Sequence, residues 1–241
     1  MNNVERITKN VFQKFGILIR KYNAATSEEL RRLKLLQHHD IDLVFDIGAN
    51  KGQYAKGIID AGYKGTIVSF EPLSSVHKTL MNASKRYLNW SVAERCAIGE
   101  NNQEIEINIS ENSVSSTLLK MLDSHYSGAP DSKIIGREKV KVFPLDDIGL
   151  KYMDSSKNIF IKIDVQGFEQ QVLAGAQSMI QKAKGIEMEI SIVPLYEGQT
   201  WLLSQVLEYM YEKGFKLKSI APAFTNNVTG EMLQCNGIFF R

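Results

Sequence analysis

The feature that most constrains this chain is a repeated switch between short apolar runs and stretches of helical spacing. IDLVFDIGA (41–49) reads as a buried strand ending in a glycine turn, followed by a helix over 51–61. TIVSF (66–70) is a second strand with a helix over 73–86, and 91–98 a third strand. The pattern resumes with a strand at NIFIKIDV (158–165), a helix over 168–183, a strand at IEMEISI (186–192) and a helix over 200–213. FKLKSIA (215–221) and NGIFFR (236–241) then form strands without a long helix between them. Strands alternating with helices dictate an α/β domain with a mainly parallel sheet covered on both faces. The last two strands imply an antiparallel addition at its edge.

Two segments depart from this rhythm. EIEINIS (104–110) and KVKVF (139–143) alternate with period two, the mark of half-exposed strands. The polar residues 110–136 between them are expected to cover something. Residues 1–39 read as a helical extension: Val4, Ile7, Val11, Phe15 and Leu18 recur at helical spacing, and TSEE (26–29) is a helix start. The domain proper is thus expected over 40–241, with an insertion around 100–145.

Composition narrows the function. The 241 residues are 44% hydrophobic and 23% charged with net charge +2, which excludes a disordered chain and argues against a dedicated nucleic-acid binder. No apolar run approaches the roughly 18 residues of a membrane span. No secretory signal is visible, and Cys96 and Cys235 match neither a disulfide framework nor a zinc pattern, so a cytoplasmic location and no metal are expected. Residues 1–39 hold eight Lys/Arg against three Glu. That excess suits a solvated helix face or, less simply, an acidic partner or membrane surface; the extension is also open to a homodimer seam or a biosynthetic partner.

Acids stand at strand tips. Asp46 precedes Gly48-Ala49-Asn50-Lys51-Gly52, a turn whose glycines allow close backbone approach to a ligand. An acid there suits an ammonium-bearing ligand and repels a pyrophosphate, and Gln53 replaces the third glycine of the dinucleotide fingerprint. Glu71, at the end of VSFEP, is placed to accept hydrogen bonds from both hydroxyls of a ribose. Asp164, in KIDVQGFE, stands at a third tip beside Gly167. Three such acids are expected to converge on one crevice.

VFDIGANKGQYA, VSFEP, NSVSSTL (112–118), VFPLDDI (142–148) and IKIDVQGFEQQVLAGA (161–176), in this order, closely resemble the FkbM-type methyltransferases. The resemblance covers about 41–193 and implies a Rossmann-like, doubly wound seven-stranded sheet and S-adenosyl-L-methionine as cofactor. It implies that Asp46, Gly48, Asn50 and Gly52 hold the methionine moiety, with Asp46 near the ammonium. It also implies Glu71 on the ribose, Cys96 to Ile98 (centred on Ala97) beside the adenine, and Ser115 and Ser116 closing over the cofactor or helping to seat the acceptor. Asp164 would stand near the sulfonium. O-methylation of a saccharide or small natural product, within carbohydrate biosynthesis, is the activity it suggests.

A hydroxyl acceptor must lose a proton, so a base is required. Asp164 and Glu189 are the strand-tip candidates, with Glu187 a weaker one, and His125 is a further candidate in the polar insertion. His77 reads as a helix-surface residue, and His38 and His39 as capping or solvent-facing. Tyr196 and Trp201 are candidates for an acceptor pocket, with core packing equally open for Trp201. Amine methylation remains an alternative, although the fourth strand tip reads DVQG rather than the Asn-Pro-Pro-aromatic motif of base amino methylation. A nicotinamide-dependent oxidoreductase and a non-catalytic scaffold are the alternatives outside the class.

Overall fold

A computed structural model describes residues 3–112, 115–129, 131–153 and 158–241. Two helices come first, α1 (Asn3–Lys14) and α2 (Glu28–His38). The alternating part follows as β1 (Leu43–Ile47), α3 (Gln53–Ala61), β2 (Thr66–Phe70), α4 (Ser74–Ser84) and β3 (Trp90–Val92). Next come β4 (Ala97–Ile98), β5 (Gln103–Ser110), α5 (Asp123–Gly128), β6 (Ile134–Phe143) and α6 (Leu145–Ile148). The chain closes with β7 (Ile159–Ile163), α7 (Glu169–Ala174), α8 (Gln177–Lys182), β8 (Ala183–Ser191), α9 (Leu203–Glu212), β9 (Lys216–Thr225) and β10 (Met232–Phe240).

The main sheet runs β3-β2-β1-β7-β8-β10-β9, with β10 antiparallel to both of its neighbours. This is the expected doubly wound, seven-stranded arrangement with one reversed C-terminal strand. Alternation along each strand feeds two cores. On β1, Val44 packs with Leu33, Leu36, Ala55, Ile58 and Phe160 beneath α2 and α3. Leu43, Phe45 and Ile47 pack on the other face with Leu145, Val172, Met179, Val206 and Met210. Covering both faces explains why these strands read as unbroken apolar runs.

Of the N-terminal extension, α2 is therefore part of the core. Ser27 caps it, its hydroxyl accepting from the Leu30 amide at 3.2 Å, and Leu33 and Leu36 are buried. Residues 15–27 are not helical.

Two expected elements divide. The strand expected over 91–98 ends at Val92, and Ala97–Ile98 pairs instead with β6 in a separate three-stranded sheet, β4-β6-β5. Its chain crosses between layers there: Cys96 and Ile98 face the main core while Ala97 faces the core of the small sheet. The helix expected over 168–183 breaks at Gly175. A Cβ at that position would lie 1.9 Å from the Gly99 carbonyl oxygen, so the backbones touch where a helix would have continued.

Candidate active site at the strand tips

Strand register builds the foundation of the site. Asp46 on β1 lies opposite Ser69 on β2 and Lys162 on β7, and Lys162 lies opposite Glu187 on β8. These side chains form a buried polar row under α2 and α3. Trp90 Nε1 donates to Ser69 Oγ, which donates to Asp46 Oδ2, both at 2.9 Å. Lys162 Nζ is 3.1 Å from Asp46 Oδ1 and donates to the Gly48 carbonyl at 2.9 Å. At the far end Arg32 of α2 donates to Glu187 through Nε at 2.8 Å, with Tyr54 under its guanidinium, 4.8 Å from the ring centroid. Charges alternate along the row, as burial demands. Burial opposes the Lys162 ammonium, yet Asp46 and Asp164 together more than offset it and raise its pKa.

Above the row the glycine turn closes against β2 and β7. The Gly48 and Ala49 amides donate to the Phe70 carbonyl. The Asn50 amide donates to Glu71 Oε2 at 2.9 Å, and the Leu73 amide to Glu71 Oε1 at 2.8 Å. Gly48 has φ +74°, and a Cβ there would sit 1.8 Å from the Asp164 carbonyl oxygen. Only glycine lets these two turns meet. Glu71 is buried, and desolvation pushes its carboxyl up to about 7 against the two amides that favour its charge.

A cavity of about 660 Å³ opens at this point, lined by Gly48, Asn50, Glu71, Asp164 and the apolar side chains of Phe70, Leu73, Ala97, Ile98, Leu118 and Phe168. An apolar lining with a few convergent polar groups suits a nucleoside ligand. The polar insertion reaches over it: Ser116 and Thr117 line the cavity, and Thr117 Oγ1 donates to the Gln166 carbonyl at 2.6 Å. A second, more polar cavity of about 660 Å³ shares Gly48, Asn50 and Asp164 with the first. Its remaining lining includes Arg32, Gln53, Tyr54, Lys162, Glu189 and Asn236.

Gln166 links the two. It holds φ +55°, and its amide Nε2 donates to Asp164 Oδ1 at 2.9 Å and to Glu189 Oε2 at 2.6 Å. Tyr196 donates its hydroxyl to Gln166 Oε1 at 2.8 Å, and Gln234 also donates to Glu189 at 2.9 Å. Burial, the Asp164 charge and then Glu169 raise the Glu189 carboxyl well above the usual carboxylate range. Glu169 itself takes the Val165 and Gly167 amides, fixing the turn, and burial pushes it up to about 7.

Several sequence expectations change here. Asp46 is fully buried and turned to Lys162 and Ser69, lining neither cavity, so it supports the turn from below. Gly52 also lies outside both linings; a Cβ there would strike the Trp90 ring at 2.3 Å, so its smallness serves packing. His125 is buried, its Nδ1 3.2 Å from Ser132 Oγ and its ring among Tyr126, Tyr196 and Phe224, with burial lowering its pKa. It lines neither cavity and is not placed as a base. Glu187 is held by Arg32 and is not poised to take a proton. Tyr196 is fully buried behind Gln166, and Trp201 stacks edge-on with Tyr209 against the core.

Ser115 is buried and bonded to Asn112, while Ser113 and Val114 of the same segment lie outside the described residues. His77 is buried, with Nε2 2.8 Å from the Ala93 carbonyl, and His39 stacks on Phe240. Asp164, Glu189, Gly48, Asn50, Glu71, Ala97 and Ser116 border the cavities. Sequence reasoning missed Gln166, Lys162 and Arg32. The first two stood inside the quoted KIDVQG, and a cation beside a strand-tip acid is the signal that was available.

The fold is Rossmann-like, with the crevice at the strand tips. The profile described as "Methyltransferase FkbM domain" matches residues 46–217, well over half the chain, and the chain belongs to that family. It is accordingly a methyltransferase that uses S-adenosyl-L-methionine, which sets the nicotinamide alternative aside. No curated protein matches the sequence. Among solved structures, a precorrin-6y C5,15-methyltransferase from Geobacter metallireducens is 12% identical with a TM-score of 0.45, over 92% of this chain and 93% of that one. A SAM-dependent methyltransferase from Aquifex aeolicus is 11% identical with a TM-score of 0.42, over 86% and 87%. Aeropyrum pernix fibrillarin with natively bound S-adenosyl-L-methionine is 9% identical with a TM-score of 0.46, over 90% and 76%. At such identities and scores the likeness bears on neither the acceptor nor the site.

Proposed function

We propose that the enzyme methylates a hydroxyl oxygen of a saccharide or other small polyhydroxylated acceptor, in carbohydrate biosynthesis and in a reducing, cytoplasmic setting that fits its two free, buried cysteines. The observation that carries this reading is the wall shared by the two cavities. Gly48, Asn50 and Asp164 border the more apolar space on one side and the polar space on the other. A donor in the first and an acceptor in the second would meet beside Asp164.

The residues of the first cavity fit the cofactor. Glu71 has lone pairs left after its two amides and would take the ribose hydroxyls. Ala97, Ile98, Leu118 and Phe168 would flank the adenine, with Ser116 over its edge. The cofactor supplies a methyl on a positive sulfur, already electrophilic, so the protein's task is orientation more than activation. Asp164 favours the cation at that position over the neutral product, which helps binding and release rather than the transfer itself.

In the second cavity, Glu189 supplies what an alcohol needs. Its carboxylate accepts from the Gln166 and Gln234 side-chain amides, which would hold it in place to take the hydroxyl proton. With the cofactor held beside Asp164, its methyl would pass to the acceptor oxygen, leaving the carbon–sulfur electrons on sulfur, while the hydroxyl proton would pass to Glu189. An amine acceptor would not require that base, and a carboxylate lining the second cavity supports oxygen.

The test is methyl transfer from isotope-labelled cofactor to panels of oligosaccharides and of amines, with the product linkage read by NMR. Methyl ethers on sugars support the reading, and N-methyl products overturn it.

A further inference from the structure

We propose that α1 and the residues following it dock on the surface of an anionic lipid bilayer, lying in the headgroup layer rather than crossing it. At about 100° per residue, Ile7, Val11 and Phe12 fall on one side of α1. They are solvent-facing, with Ile7 61% exposed. The helix ends at Lys14 and the chain turns at Gly16, whose φ is +72°. The Gly16 amide bonds to the Gln13 carbonyl and the Ile17 amide to the Phe12 carbonyl, so the stop is built in and the apolar surface carries on past it. Phe15, Leu18 and Tyr22 extend it, at 76%, 69% and 74% exposed. Isolated exposed apolar residues need no explanation; a continuous set of this kind marks a surface meant to be covered.

Charge says by what. Arg6, Lys9, Lys14, Arg20 and Lys21 accompany this stripe, against Glu5 as the sole acid in residues 1–22. On the wheel Arg6 and Lys14 flank the stripe beside Ile7, and Lys9 flanks it beyond Phe12. A polar face rich in Lys and Arg opposite Phe, Ile and Val, with aromatic side chains at the boundary, is the composition of an interfacial helix. A second copy of the chain would bring the same five cations to the contact and be repelled. Anionic headgroups would be attracted. Among the described residues no helix is long and apolar enough to cross a membrane, so docking is peripheral. The arm is tied to the enzyme, because Arg31 of α2 donates to the Ala24 and Ala25 carbonyls at 2.9 and 3.1 Å. Docking would therefore hold the catalytic domain close to the lipid surface.

The experiment is flotation of the full chain with vesicles of phosphatidylcholine alone and of phosphatidylcholine mixed with phosphatidylglycerol, at low and high salt. Binding is expected to the anionic vesicles only, to weaken with salt, and to fall about fivefold for each cation neutralised in Arg6→Gln, Lys14→Gln and Arg20→Gln. Ile7→Asp with Val11→Asp is expected to abolish it while the thermal shift with S-adenosylhomocysteine stays unchanged, showing a folded domain. Equal flotation with both vesicle types, or none with either, overturns the proposal. So does a wild-type dimer in solution that this double variant converts to monomer.

Discussion

Lys162 Nζ lies 3.1 Å from Asp46 and 3.7 Å from Asp164, one buried ammonium between an acid under the glycine turn and an acid at the mouth of the site. It ties the foundation of the crevice to its working edge.

Removing that ammonium strands a fully buried carboxylate. Lys162→Met should therefore lower stability by about 3–5 kcal/mol in chemical denaturation. Adding Asp46→Asn should recover part of the loss, since the unpaired charge goes with it. A single variant as stable as the parent would show that the pair contributes nothing.

Glu71 sets a pH dependence with two opposite signs. Its carboxyl, raised from 4.5 to about 7, is protonated in the folded chain below that value and ionised above it. Without ligand, its contribution to stability is complete below about pH 4.5 and is lost as the pH rises through about 7. Cofactor binding runs the other way, because ribose hydroxyls need the ionised acceptor. Calorimetric affinity for S-adenosylhomocysteine should rise from about pH 6 to about pH 8. Glu71→Gln should weaken binding at the upper pH by roughly ten- to a hundredfold and flatten the profile.

Glu189→Gln should separate chemistry from binding. As the proposed base, its loss should reduce kcat by roughly 10²–10⁴-fold while the dissociation constant for S-adenosylhomocysteine changes little. Equal losses in both would make it a structural residue.

His125→Phe keeps the aromatic cluster filled and removes the imidazole. Methyl transfer and its pH–rate profile should be unaltered. A lost inflection near the histidine range would restore His125 as a participant.

Gly48→Ala places a methyl on the Asp164 carbonyl, at a φ that L-residues avoid. The two turns must separate, with an expected cost of about 3 kcal/mol and loss of the thermal shift given by cofactor. Full retention of that shift would show that the turn is not where the cofactor sits.

Much of this was legible beforehand. The parallel sheet follows from apolar runs that must be buried on both faces, and Glu71 and Asp164 follow from their places after the second and fourth of those runs. The third strand reads as one run over 91–98 because Val92, Ala93 and Cys96 to Ile98 are apolar, whereas the chain crosses from one sheet to the other around the Glu94-Arg95 pair between them. His125 stands among polar neighbours in the chain, which by itself would place it at the surface. Tyr196 and Phe224, which bury it, are 71 and 99 residues away.

Asp46 and Asp164 show where sequence stops. Each precedes a glycine turn at the end of an apolar run, and by pattern they are equivalent. The run of side chains alone determined that both stand at the carboxyl end of a central strand. Only the pairing of β1 with β7 decided their roles, by setting Asp46 opposite Lys162 and carrying Asp164 two residues further, past the last register pair Ile47–Ile163. One acid is thereby desolvated against a cation contributed from 116 positions away, and the other is left at the opening, because strand register is fixed by the packing of whole faces and not by any short stretch of chain.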